Sequence, residues 1–331
     1  MQVFRGIGHR ALAAGGPAGA GHALTIGNFD GVHRGHQAML ALLQNEARHR
    51  GVPSCVLTFE PHPRDFFAAR AGKPESAPRR ISTLRDKLAE IERCGVDRVV
   101  VIRFDEVLAS LPPQAFIDSV LRSGLAVRYV LVGDDFTFGA RRAGNYETLD
   151  AAGRAAGFDV ARMLSYEVHG LRVSSSAVRE ALAAGDLARA EALLGRPYAI
   201  SGHVRHGRKL GRELGFPTLN LRFGHARPAA SGIFVASVQG LADKALPAVA
   251  SLGVRPSVED GGRVLLEAHV FDWPAALGAE GGYGRVVNVQ LLHKLHDELK
   301  YDSLEALRAG IAADTSAAHA WFVRSGRPDP R

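Results

Sequence analysis

Cysteine is scarce: the 331-residue chain has two, and Cys55 and Cys94 lack cysteine or histidine neighbours at metal-ligand spacing. That excludes a disulfide framework and a cysteine-based metal knuckle, and it fits reduced thiols in the cytosol. Long apolar runs are missing as well, since no stretch approaches the roughly 18 residues of a membrane span. The early "ALAAGGPAGAG" has no continuous strongly apolar core and contains Pro17, so no secretory leader is expected. Clustered basic residues are also lacking. Lys plus Arg number 41 against 34 Asp plus Glu, a net charge of +7, but they are scattered singly. Such a balance suits polyanionic small molecules and gives little to a nucleic-acid backbone or a membrane surface. A cytosolic protein without nucleic-acid or membrane partners is expected.

Present instead is enough length and apolar content, 46% hydrophobic, for two packed domains. From residue 23 to about 163, the β-rich runs "ALTIG", "SCVLTF", "DRVVVIRF", "VRYVLVG" and "FDVARML" alternate with helical patterns. "HQAMLALLQNEARHR", "STLRDKLAEIERCG" and "PQAFIDSVLRS" carry apolar residues at three and four spacing. The alternation predicts an α/β fold, a Rossmann-like parallel sheet whose ligands sit at the carboxyl ends of the strands. After "SSAVREALAAG" and "DLARAEALLG" the texture changes to short alternating runs, among them "GIFVASV", "LPAVASLG" and "RVLLEAHVFDW", separated by glycine and proline turns. These predict an antiparallel barrel or sandwich, followed by a helix from Ser303 to about Val323. The boundary is expected near residue 185, giving domains 1–185 and 186–331.

The segment "TIGNFDGVHRGHQAML" sets His33 and His36 three residues apart where a strand passes through a glycine-rich turn into a helix. Unpaired N–H groups in the first helical turn and two imidazole donors suit a triphosphate, and the charge that builds on it in nucleotidyl transfer. Asn28, Asp30, Gly31 and Gly35 complete that turn. Further on, "VSSSAVREAL" places Ser174 to Ser176 at a helix start with Arg179 one turn in. Hydroxyls and a guanidinium there can close on phosphate, although serines at that position also serve as plain helix caps.

"GNFDGVHRGH", "FEPHPRDFF", "GDDFTFGARRAGN" and "VSSSAVREAL", in that order over residues 25 to 182, resemble the motif set of the FAD synthetase domain in bacterial bifunctional riboflavin kinase/FAD synthetases. The resemblance implies membership of the HxGH nucleotidyltransferase superfamily and transfer of AMP from ATP to the phosphate of FMN, with magnesium. It implies that Gly27, Asn28, Phe29, Asp30, His33, Gly35 and His36 hold ATP, joined by Ser174, Ser175 and Arg179. It also implies that Pro61, His62, Asp135, Phe136 and Asn145 line the flavin cleft. Phe136 and Phe138 are equally compatible with a core role at a strand end.

"GRKLGRELGFPTLNL", residues 207 to 221, is not a Walker A loop, because the Gly-Lys-Ser/Thr ending is missing. Gly207, Gly211 and Gly215 still allow a backbone arch, with Arg208, Lys209 and Arg212 able to wrap phosphates. Thr218 and Asn220, two apart on an extended strand, offer hard oxygen ligands to Mg2+ from one face. The run resembles the glycine-rich loop and PTAN motif of the riboflavin kinase domain, with Leu219 for alanine. "SGIFVASV", "SLGVRPSV", "LLEAHVFDW", "YGRVVNV" and "DELKYDSLEALRAGIAAD" extend the likeness to about residue 320. It implies that Glu267 is the general base for the riboflavin 5′-hydroxyl, that Pro217 belongs to the ATP loop, and that Arg255 and Glu298 contact flavin. From periodicity alone the face of Glu267 stays open, because Leu265 and Leu266 precede it. Departures from the family are Ser251 for Asn, Ser257 for Thr, "GGYG" for an Asp-Leu-Tyr-Gly turn, His296 for Arg, and a longer "PAALGAEGG" segment. His296 is expected to titrate near pH 6.5. The expected function is a two-site enzyme that phosphorylates riboflavin to FMN and then adenylylates FMN to FAD. A nucleic-acid-binding HxGH remnant is disfavoured, since no lysine-rich loop stands where "VSSSAVR" does.

Overall fold

The computed structural model describes residues 1–8, 21–164, 166–168, 171–207, 210–223, 227–254, 264–278 and 280–326. The chain forms two compact units. One comprises Met1–Pro78 and Lys87–Ser174, the other Arg79–Asp86 and Ser175–Arg331. The expected boundary near residue 185 falls at the end of a helix that packs with the second unit.

In the first unit six parallel strands, β1 (Gln2–Arg5), β2 (His22–Ile26), β3 (Ser54–Glu60), β4 (Arg98–Arg103), β5 (Val127–Gly133) and β6 (Asp159–Met163), lie in the order β1-β4-β3-β2-β5-β6. All five residues of β2 are buried, as a central parallel strand covered on both faces requires. From β2 the chain moves outward through β3 to β4, then returns to lay β5 on the other side of β2. That reversal is a topological switch point, where neighbouring loops splay apart and leave room for a ligand. Helix α1 (Arg34–Arg50) buries Leu40, Leu43 and Ala47. Leu24, Leu57, Val100 and Val130 pack with Phe116, Ile117, Val120 and Leu121. The remaining helices of the stretch are α2 (Pro63–Arg70), α3 (Leu84–Arg93), α4 (Glu106–Ser110), α5 (Pro113–Phe116) and α6 (Tyr146–Ala156).

All five anticipated strands form. β1 was not anticipated, because four residues carry too little periodicity and its partner β4 lies far along the chain. The helical pattern of "PQAFIDSVLRS" continues past α5 as a π-helix, Ile117–Gly124. There the Leu125 N–H reaches back five residues to the Val120 carbonyl at 3.0 Å. Cys55 is buried in the core and its thiol pKa is pushed up to about 12 by that burial, so it is an inert packing group.

A short antiparallel pair, β7 (Glu167–Val168) and β8 (Leu171–Arg172), closes the first unit, and the second opens with α7 (Ser175–Ala184) and α8 (Leu187–Leu194), with a single-turn α9 (Leu210–Glu213) between its first two strands. Six antiparallel strands follow: β9 (Ala199–His203), β10 (Leu219–Arg222), β11 (Gly232–Gln239), β12 (Leu246–Val254), β13 (Val264–Val270) and β14 (Val286–His296). Their order is β10-β13-β12-β11-β14-β9. Just past β9, Arg205 bridges Asn220 of β10, its N–H donating to the Asn220 carbonyl at 2.9 Å. That bond brings the two edges of the sheet together and decides for a barrel over a sandwich. Phe234, Ala236, Ala248, Ala250, Leu266 and Ala268 are fully buried or nearly so; small side chains suit a six-stranded interior. A final helix, α10 (Leu304–Ser325), is capped by Ser303 and packs Ala318 and Phe322 on Val235 and Val249.

Residues 79–86 interrupt the α/β stretch yet belong to this unit. Arg80 donates its N–H to the Arg227 carbonyl at 2.7 Å and accepts from Ala229 at 2.8 Å. Buried Asp86 accepts from the Ser201 N–H at 3.0 Å and from the Ser201 and Thr83 hydroxyls. Burial pushes the Asp86 carboxyl pKa up, against those hydrogen bonds.

Candidate active sites

In the first unit, loops leaving the adjacent strands β3, β2 and β5 carry most of the residues singled out in the sequence. After β2, the chain folds tightly: Phe29, Gly31 and Val32 take φ of 49°, 84° and 41°. Phe29 is 1% exposed and its ring lies 3.0 Å from where a Gly27 Cβ would stand, so this residue can offer a ligand only its backbone. His33 is the N-cap of α1, and its Nδ1 accepts from the His36 N–H at 3.3 Å. One helix-start donor is therefore satisfied by the protein itself, where the sequence had suggested that it would be open. That bond leaves the proton of the neutral His33 ring on Nε2. The two imidazoles stack with centroids 3.7 Å apart at 15°. A Cβ on Gly35 would sit 3.3 Å from the His33 ring, which explains the glycine inside H-x-G-H: a side chain there would crowd the stacked pair.

After β3, His62 caps α2 through Nδ1, accepting from Arg64 at 3.1 Å, and is 4% exposed beside Pro61. After β5, Asp135 is exposed while Phe136 stacks on Phe138, and both rings join the core. Asn145 caps α6, its Oδ1 accepting from the Thr148 N–H at 3.0 Å. Arg141 and Arg142, at φ 55° and 59°, shape the turn between them. The Val173 carbonyl is 3.6 Å from the Gly35 Cβ position, so the chain delivers Ser174, the next residue, to the neighbourhood of the histidine turn. Ser175 opens α7 in the other unit, where the Arg179 Nε donates to the Arg79 carbonyl at 2.8 Å.

In the barrel, register aligns a row of residues on one face. Asn220 of β10 pairs with Glu267 of β13, which pairs with Ser251 of β12. Ser251 pairs with Ile233 of β11, and Ile233 with His296 of β14. Thr218, Ser251, Glu267, His296 and Glu298 line one cavity of about 230 Å3. The face of Glu267, open in the sequence, is thereby fixed: Leu266 and Ala268 point into the barrel and Glu267 into the cavity.

Asn220 is 7% exposed and its Oδ1 is buried with no hydrogen-bond partner among the described residues. A buried amide oxygen without a partner is costly and marks a place for a ligand. The glycine arch comes down on it. A Cβ on Gly207 would stand 2.5 Å from that Oδ1, and one on Gly211 would stand 3.5 Å from the Thr218 hydroxyl. Gly215 turns at φ 92° and Pro217 is exposed. Arg212 here pairs with Glu280, Nη1 to Oε1 2.9 Å. Lys209, Arg255, Arg208 and Ser257 lie outside the described residues.

Glu298 lies against Gly253, and its carboxyl pKa is pushed up by burial and by the charge of Glu267. His269, two residues beyond Glu267 on the same face, was missed in the sequence. Its Nδ1 donates to the Pro217 carbonyl at 2.9 Å and so anchors the start of the Thr218 strand; burial lowers its pKa. The period-two spacing Glu-x-His in "LLEAHV" was the available signal. His296 differs from expectation. Both ring nitrogens face acceptors, Nε2 to Asp314 Oδ1 at 2.7 Å and Nδ1 to the Asp297 carbonyl at 2.6 Å. Burial opposes the imidazolium, yet the Asp314 hydrogen bond and neighbouring acceptors outweigh it, so the pKa is raised above 6.5.

The FAD synthetase family model matches residues 17–177 and the riboflavin kinase family model residues 194–322. A bifunctional riboflavin kinase/FMN adenylyltransferase of Escherichia coli K12 is 44% identical over 97% of this chain and 98% of its own. The protein of the same description from Pseudomonas fluorescens is 45% identical, with 97% of each chain covered. A crystal structure of a Streptococcus pneumoniae protein named as a macrolide-efflux protein superposes with a TM-score of 0.72 at 26% identity, over 97% of this chain and 100% of that one. That name stays with that protein. Among the described residues no helix is long and apolar enough to cross a membrane.

Proposed function

We propose, from the premise that this chain belongs to the family of bifunctional riboflavin kinase/FMN adenylyltransferases, that it makes FMN from riboflavin and FAD from FMN, using ATP at two separate sites. The observation that best supports this reading is the barrel row, in which an unpartnered buried amide oxygen, Asn220 Oδ1, stands opposite a carboxylate, Glu267. In that site Glu267 takes the proton of the riboflavin 5′-hydroxyl as its oxygen attacks the γ-phosphorus of ATP, and ADP leaves. Thr218 and Asn220 would hold Mg2+, for which a hydroxyl and an unsatisfied amide oxygen are suitable hard donors. When bound, the ion neutralises charge on the transferring phosphate. Gly207, Gly211 and Gly215 let the backbone approach the phosphates, Arg212 and Lys209 add charge, and Arg255 and Glu298 contact the flavin.

At the sheet's switch point, a phosphate oxygen of FMN attacks the α-phosphorus of ATP and pyrophosphate departs. No protein nucleophile is needed, because alignment and charge neutralisation lower the barrier. His33 and His36 donate to the phosphates, with the loop of Gly27, Asn28, Phe29 and Asp30 supplying backbone groups. Pro61, His62, Asp135, Phe136 and Asn145 border the flavin side, and Ser174 serves the same phosphates. The scarcity of cysteine and of long apolar runs supports a cytosolic setting.

The test is one chromatographic time course of purified protein with riboflavin, ATP and magnesium. FMN should appear first and FAD after it. Absence of both products would end the proposal, and FAD formation from supplied FMN alone would reduce the barrel to a flavin-binding module.

A further inference from the structure

Lys87, in α3, is 2% exposed and is among the largest fully buried side chains of the protein. An ammonium group is rarely taken so far from water without a task, because an apolar side chain of the same length would fill the space at lower cost. Its Nζ lies 3.5 Å from the Thr58 hydroxyl, on a β3 residue that is 0% exposed. The same hydroxyl donates to the carbonyl of Asn28 at 3.3 Å. Asn28 opens the turn that ends at the capping His33. The next residue, Phe29, holds φ at 49°, a conformation that a bulky side chain keeps only when its surroundings enforce it.

We propose that Lys87 is a positioning residue for adenylyl transfer: through Thr58 its ammonium fixes the Asn28 carbonyl, and with it the turn that presents His33 and His36. The proposal rests on the reading of the first unit as an FMN adenylyltransferase. Two physical effects act together. The chain Lys87 N–H to Thr58 O–H to Asn28 C=O is polarised along its length by the charge at its end. That charge also stands, poorly screened, near a turn that must receive a polyanion.

Lys87→Met, Thr58→Val and the double variant test it, with FAD formation from FMN and ATP as the readout. Riboflavin phosphorylation in the same preparation serves as the control for folding. Each single change should lower kcat for FAD about tenfold, with the KM values for FMN and ATP shifted less than about threefold, since a displaced turn harms alignment more than ground-state binding. The double variant should lose no more than the worse single one, because both changes cut the same relay. Thermal unfolding of Lys87→Met should not fall, which separates positioning from a purely structural role.

Unchanged kcat, additive losses, or a parallel loss of both activities with a lower Tm would each overturn the inference. Should Lys87→Met fail to fold, an unaltered kcat in Thr58→Val would overturn it alone. A wild-type protein that forms no FAD would instead defeat the functional reading itself.

Discussion

On the proposed reading, the two units meet the same chemical demand, a phosphate chain held beside a flavin oxygen, with opposite structural means. In the α/β unit the cradle is made by secondary structure: a helix start at a switch point, with a histidine as its cap and a second stacked on it at 3.7 Å. In the barrel unit the long helix α10 meets the cavity with its side, through Leu307, Ile311 and Asp314. The cradle is made by strand register, which sets Asn220, Glu267 and Ser251 in line. The first design draws on aligned backbone dipoles and tolerates a ligand held mostly by amides. The second, on the proposed reading, relies on one carboxylate, a buried side-chain oxygen, and glycines that let a loop close on them. A site built from dipoles should lose activity gradually as single side chains are removed, whereas one built from a single base should lose it abruptly.

The sharpest break of that comparison is Glu267→Gln. Loss of the proposed base should cost FMN formation about 10² to 10⁴-fold while FAD formation from supplied FMN is unchanged. Initial rates of both reactions on one preparation measure it. Next in size, His36→Ala should lower FAD formation about 10²-fold and leave FMN formation intact, as expected for one donor among several. If either substitution removed both activities at equal thermal stability, the two sites would not be separate.

Gly207→Ala sharpens the comparison at a smaller scale. Its methyl would stand 2.5 Å from Asn220 Oδ1 and must turn that amide away. The magnesium concentration for half-maximal kinase rate should rise about tenfold or more, with adenylylation unaffected, in keeping with the usual effect of disturbing a ligand's support. The smallest effect concerns His296 and Asp314. Because the folded imidazole's pKa is raised above 6.5, the stabilisation from this pair is complete below pH 6.5 and is lost as pH climbs through the raised value. The Tm advantage of wild type over Asp314→Asn should therefore be larger at pH 6 than at pH 9, and a difference independent of pH would contradict it.

Legibility differed between the units for a physical reason. The α/β strands and the histidine turn could be read because they are local: continuous apolar runs, helical period and glycine position all lie within a few residues of one another. The same holds for the start of the final helix at Ser303. In the barrel, "LLEAHV" could not say which side Glu267 faces, because two leucines precede it; only pairing with β10 and β12 did. Residues 79–86 gave no sign of joining the second unit, since their partners, Ser201 and residues 227–229, are more than a hundred positions away. Residue type shows His296 but not Asp314, whose hydrogen bond raises the imidazole pKa above its ordinary value against burial.

Composition, period and motif spacing by themselves determined two folding classes, the order of the units, and the residue types available for phosphate chemistry, because those signals depend on near neighbours in the chain. The tertiary structure decided which of those residues face a common space. Closure of the barrel through Arg205 and Asn220 and the burial of Lys87 behind Thr58 both arise from contacts between segments remote in sequence, whose pairing energy no local pattern encodes.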